Sequence, residues 1–194
     1  VIDAYPDRDL RRYEYRGEWT PDPSRQVDPK LESLAVHEGV RVDATTTVGV
    51  PERVATAQVR VETVRGGSAG GGAEFAQYIV TDPADSLTVD WSMRPEGVRL
   101  AGASNTTVPI AAEGDELIVT VTLVDQTGAT FTYRQEATAR VQGDRAEVIW
   151  PPERSVCRLV TACGSDGTYL PSDPEAHAEW VAFETTAEPV AEDG

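Results

Sequence analysis

Between Val40 and Val50 the chain alternates without a break: Val40, Val42, Ala44, Thr46, Val48 and Val50 fall on one face, and Arg41, Asp43, Thr45 and Thr47 on the other. A period of two puts successive side chains on opposite sides of an extended backbone. The pattern therefore predicts a half-buried β-strand and excludes a helix, whose apolar stripe recurs every three to four residues. Pro51 ends the strand because it brings no ladder donor. Ala55, Ala57, Val59 and Val61 then alternate with Thr56, Gln58, Arg60 and Glu62, and this second strand is expected to lie antiparallel beside the first.

The same alternation returns in Leu87, Val89, Trp91 and Met93, and in Leu117, Val119, Val121 and Leu123 after the turn Glu113-Gly114-Asp115. Asp125-Gln126-Thr127-Gly128 makes a compact turn into a long strand whose inward set is Ala129, Phe131, Tyr133, Ala137, Ala139 and Val141. Shorter strands are expected at 74–81, 97–103, 145–150, 156–162 and 178–186. Asp173 and Pro174 suit a single helical turn before the last of these. About nine or ten strands at such spacings predict an all-β, two-sheet antiparallel sandwich over residues 35–186, with a jelly roll favoured over an immunoglobulin-like arrangement. Over residues 114–133 the hairpin resembles those of secreted immunoglobulin-like repeat modules, a likeness that carries no functional residue across.

Residues 1–34 differ from the rest of the chain. Pro6, Pro21, Pro23 and Pro29 interrupt them, and Tyr5, Tyr13, Tyr15 and Trp19 are interleaved with Arg8, Arg11, Arg12, Arg16 and Arg25. Prolines withhold backbone donors and hold the preceding residue extended, so the segment reads as an N-terminal arm laid along a surface, its own or a neighbour's. Tyr, Trp and Arg are enriched at protein interfaces, which makes Tyr5, Arg8, Arg11, Arg12, Tyr13, Tyr15, Arg16 and Trp19 the candidate interface residues. Two further segments lack side chains that would order them: the glycine run 66–72 and the acidic tail 187–194.

Charge narrows the partners. The chain carries 33 Asp and Glu against 17 Lys and Arg, a net charge of −16, and only one of the bases is lysine, Lys30. Such a surface repels phosphate and anionic lipid, so neither nucleic acid nor direct membrane insertion is expected. The bias fits adaptation to molar salt, where screening shortens the Debye length to about 3 Å. The alternative is a genome whose codons favour Arg, Ala, Gly, Val and Asp.

No catalytic apparatus is legible. His37 and His177 stand far apart without metal-ligand spacing, and read as surface or edge residues. No calcium loop and no phosphate-binding glycine motif occurs, so neither a cofactor nor a metal is expected. Trp91, Trp150 and Trp180 continue apolar strand faces and are expected in the core. Six residues of straight strand would hold Cys157 and Cys163 about 20 Å apart, beyond disulfide reach. Either the intervening residues turn and close a small disulfide loop, which the neighbouring Pro151-Pro152 and Gly164 favour, or the thiols stay free, or each pairs with another chain. Asn105-Thr106-Thr107 matches the N-x-S/T acceptor pattern, which is informative for an exported protein.

The sequence thus leads to a non-enzymatic structural assembly protein, of virion, capsid or surface-layer type, from a halophile. Its partners would be protein subunits in a homo- or hetero-oligomer, its location extracellular, on a cell surface or in a virion. The alternative is a secreted or surface-tethered β-sandwich module that binds carbohydrate or protein through its loops.

Overall fold

A computed structural model describes residues 9–16, 28–64, 74–157, 168–169 and 181–191. Every element among them is a strand, and every pairing is antiparallel. The larger sheet runs in the order β1 (Leu10–Arg16), β2 (Asp28–Gly39), β11 (Arg145–Trp150), β10 (Thr130–Gln142), β9 (Asp115–Asp125), β4 (Val54–Val64) and β5 (Phe75–Thr81). Off this path, β12 (Glu153–Cys157) pairs with the first half of β10 and with the short β13 (Thr168–Tyr169). The smaller sheet runs β14 (Phe183–Val190), β3 (Arg41–Gly49), β6 (Ser86–Arg94), β7 (Gly97–Leu100) and β8 (Thr107–Val108). The two sheets pack face to face as a β-sandwich.

The alternation assigns the faces correctly. Val42, Ala44 and Val48 of β3 and Ala57, Val59 and Val61 of β4 are all buried in one core with Val89, Trp91, Met93, Leu117, Val121, Leu123 and Tyr133. Each fully buried valine of this set contributes about 1.5–3 kcal/mol, so the core rests on many such terms.

The partner expected for β3 is corrected. β4 lies in the opposite sheet, between β9 and β5, while β3 pairs with β6 and β14. Pro51 follows β3, Arg53 takes a φ of 71°, and Val50 N donates to Asp85 O. The chain thereby turns across the layer, and the two apolar faces meet through the core. A period of two specifies a strand's face and leaves its neighbour open.

Two boundaries also move. β14 reaches Val190, with Ala187 opposite Ala44 and Val190 opposite Arg41, so the expected tail from 187 contributes four residues to the sheet. Ala187 packs against the core, which gives those residues a reason to pair. Within the segment read as an arm, β1 and β2 pair with each other from Leu10↔Leu34 to Arg16↔Asp28, and β2 continues into the sheet along β11. Pro29 falls at the second residue of β2, opposite Tyr15, where β2 has only β1 beside it and a missing donor breaks no interior ladder. The glycine run, the helical turn at Pro174 and Trp180 lie outside the described residues.

Polar groups join the two layers. Tyr133 Oη donates to Gly49 O at 2.8 Å and Thr46 Oγ1 to Gln135 Oε1 at 3.2 Å, while within the smaller sheet Trp91 Nε1 donates to the same Thr46 Oγ1 at 3.4 Å. Arg154 Nη1 reaches across to Phe183 O at 2.6 Å. Such bonds matter more than their modest net worth suggests, because a buried group left unpaired costs about 1–3 kcal/mol.

Candidate functional site

Most large apolar side chains are in the core. The exposed ones among the described residues are Tyr13, Leu31, Phe75 and Ile79, with 60, 58, 42 and 64% of their surface open. Tyr13 sits on β1 directly opposite Leu31 on β2, so the two form one apolar pair. Phe75 and Ile79 share the outward face of β5, two positions on either side of Gln77. β1 and β5 are the two ends of the same sheet path. The exposed apolar surface is therefore concentrated at opposite edges of one sheet.

The β5 edge has a second property. Its seven residues, Phe75 to Thr81, include no charge and no proline, although the chain as a whole carries −16. Charge and proline are the usual protections of an exposed edge. The guanidinium carbon of Arg60, on the neighbouring β4, lies 3.8 Å over the Phe75 ring in a cation–π contact.

The candidate interface residues take several positions. Arg12 turns back onto its own domain: Nη1 pairs with Glu32 Oε2 at 3.0 Å, and Nη2 donates to Pro151 O at 3.0 Å. Arg12 thus anchors the hairpin to the turn between β11 and β12. Arg11 is half exposed, 3.8 Å from the Asp9 carboxylate. Tyr15 and Arg16 belong to β1, while Tyr5, Arg8 and Trp19 lie outside the described residues.

The outward face of the larger sheet is laid out in cross-strand rows. Gln58, Thr122, Thr132 and Cys157 form one, Arg60, Thr120, Arg134 and Ser155 the next, and Glu62, Ile118, Glu136 and Glu153 a third. Arg60 pairs with Glu62 at 2.6 Å and Arg134 with Glu136, so each arginine of one row meets a carboxylate of the next. Burial pushes the Glu116 carboxyl up, and the neighbouring Glu136 carboxylate adds to the effect. Thr120, Thr122, Thr132 and Cys157 are buried on this face, where alternation alone would place solvent. No group of three or more His, Cys, Asp or Glu suited to a metal occurs among the described residues.

Cys157 is disulfide-bonded. Cys163, the only other cysteine of the chain, lies outside the described residues. His37 is on the inward side of β2 with its ring 6.0 Å from that of Trp150, and its buried Nδ1 has no hydrogen-bond partner among the described residues. Trp91 and Trp150 are buried, 6.4 Å apart. His177 lies outside the described residues.

A groove of about 440 Å³ opens on the outward face of the smaller sheet, lined by Asp43, Thr45, Asp90, Ser92 and Arg99 and by the loop from Ala101 to Asn105. Thr45 Oγ1 donates to Asp90 Oδ1 at 2.8 Å, and Arg99 Nε donates to Thr107 Oγ1 at 3.0 Å. The lining offers carboxylates, hydroxyls and one guanidinium, without a neutral-pH acid/base pair. Its residues come from strands distant in sequence, and no local motif announces it.

These features define an antiparallel β-sandwich whose apolar surface is displayed at the sheet edges. Residues 1–137 match the DUF7846 family, described as a domain of unknown function, and the chain belongs to that family. No curated protein and no solved structure matches the chain. No helix among the described residues is long and apolar enough to cross a membrane.

Proposed function

We propose that this chain is a non-enzymatic structural subunit that assembles with other protein subunits, extending the larger sheet edge to edge. The observation that carries the reading is the placement of Tyr13 and Leu31 at one end of that sheet and of Phe75 and Ile79 at the other. An edge strand with open backbone groups, apolar side chains and no charge is a template for another strand. If β5 of one copy meets the hairpin of the next, the contact is heterologous and yields a ring or an open array. The part of the N-terminal segment outside the described residues would act as an arm, adding its Tyr, Trp and Arg side chains to that contact. Such assembly suits a virion, capsid or surface-layer component outside the cell. It needs no cofactor, and a halophilic setting would screen the mutual repulsion of copies carrying −16 each.

The strand order supports the immunoglobulin-like arrangement over the jelly roll. Neighbours β3–β6 in one sheet and β5–β4–β9–β10 in the other follow the B–E and C′–C–F–G pattern of that class. A second reading, a carbohydrate-binding module, is favoured only by the polar groove of about 440 Å³.

Light scattering on a sizing column tests the first reading. Wild type is expected to form oligomers whose mass rises between physiological and molar salt, and Ile79→Lys to shift the population toward monomer by tenfold or more in dissociation constant. A wild-type chain that is monomeric at every salt concentration would overturn self-assembly. A monomer with measurable affinity for oligosaccharides would establish the binding module instead.

A further inference from the structure

Asn105 is the single asparagine among 194 residues, and it stands in Asn105-Thr106-Thr107. Serine and threonine together number 29 of the 194 residues, so a lone asparagine placed at random would fall in this pattern about one time in seven. The motif alone is therefore a weak signal, and its setting decides.

The first two motif residues have the setting an acceptor needs, and the third, Thr107, opens β8 with its hydroxyl accepting from Arg99. Asn105 lies in the loop between β7 and β8, and Ser104, Asn105 and Thr106 are all exposed. A transferase must reach both the side-chain amide and the backbone around it, which a strand interior forbids and an exposed turn permits. Asn105 also forms one wall of the groove, facing hydrogen-bonding groups of the kind a sugar ring meets: the Asp43 and Asp90 carboxylates, the Thr45 and Ser92 hydroxyls, and Arg99.

We propose that Asn105 is an N-glycosylation site. In the reaction the Asn105 Nδ2 attacks the anomeric carbon of a lipid-phosphate-linked glycan. The bond from that carbon to the phosphate oxygen breaks with its electron pair leaving on the phosphate, an N–C bond forms, and the amide loses one proton to solvent. The attached glycan lies beside β8, the end of the smaller sheet, next to a loop whose Gly102 approaches the Tyr78 ring of β5. The proposal stands whether or not the chain self-assembles.

The full chain, secreted behind a cleavable export signal from a eukaryotic host that glycosylates such acceptors, is analysed by intact mass and peptide mass spectrometry. The peptide containing Asn105 is expected to carry a glycan whose enzymatic release converts the residue to aspartate. Asn105→Gln and Thr107→Ala are expected to abolish the modification, and Thr107→Ser to retain it, with far-UV circular dichroism confirming the strands in each variant. Secretion of a folded wild-type chain with Asn105 unmodified overturns the proposal.

Discussion

Asp125 closes the β9–β10 hairpin by itself. Its Oδ1 accepts from Thr127 N and Thr127 Oγ1, both at 2.7 Å, and from Ala129 N at 2.9 Å. The Thr127 side-chain hydrogen bond, with the backbone donors around it, holds its carboxyl below the ordinary value of 3.8. A depressed folded pKa means that the stabilisation is present above the unfolded value and is lost as pH falls through the folded one. Asp125→Ala is expected to lower Tm at pH 7 and to lose that deficit at the acid end of a pH series. Glu116 has the opposite sign: burial raises its pKa, so its carboxylate opposes folding above that pKa and ceases to do so below the unfolded value of 4.5. Glu116→Gln should therefore raise Tm at neutral pH and leave it unchanged well below pH 4.5. Tyr133 tests the link between layers. Tyr133→Phe keeps the ring packing against Phe131 and Phe183 but leaves the Gly49 carbonyl without its donor, an expected cost of about 1–3 kcal/mol in chemical denaturation.

At the scale of elements, the turn between β6 and β7 depends on Gly97. Its φ is +129°, and a Cβ there would lie 2.2 Å from Val108 O of the neighbouring strand. Gly97→Ala is expected to cost about 1–3 kcal/mol from backbone strain alone, with the overlap in addition, as read by urea unfolding. The elements also show what a single sequence makes legible. Alternation placed Val42, Ala57, Val89 and Val121 inward correctly, because a buried face leaves its period in the residue order. It could not say that β3 and β4 face each other across the core, since that depends on a crossover at Arg53. Gln135 continues the inward face of β10 but is polar, and its burial makes sense only once Thr46 of the other sheet stands within hydrogen-bond reach. The exposed edge at Phe75 and Ile79 was equally hidden: the residues identify a strand, whereas being the last strand is a property of topology. The groove on the smaller sheet assembles Asp43, Asp90 and Arg99 from three strands, so no spacing rule would have found it.

For the whole molecule the governing quantity is charge. With −16 on a chain of 20.9 kDa, self-repulsion opposes the compact state, and counterions reduce it. Tm is expected to rise from 0.1 to above 1 M sodium chloride, as the Debye length shrinks from about 10 to 3 Å. A flat response in calorimetry would show that self-repulsion of the net charge does not limit stability. The pairing of β14 with β3 has a further consequence for the order of synthesis. Residues 41–49 gain their β14 neighbour only from residues 183–190, so until those residues have been synthesised β3 keeps an open edge. Residues emerge at about 5–20 per second, which leaves several seconds in which the sandwich is unfinished. A chain in that state remains a substrate for holding chaperones, and the closing of the fold is timed by the arrival of β14.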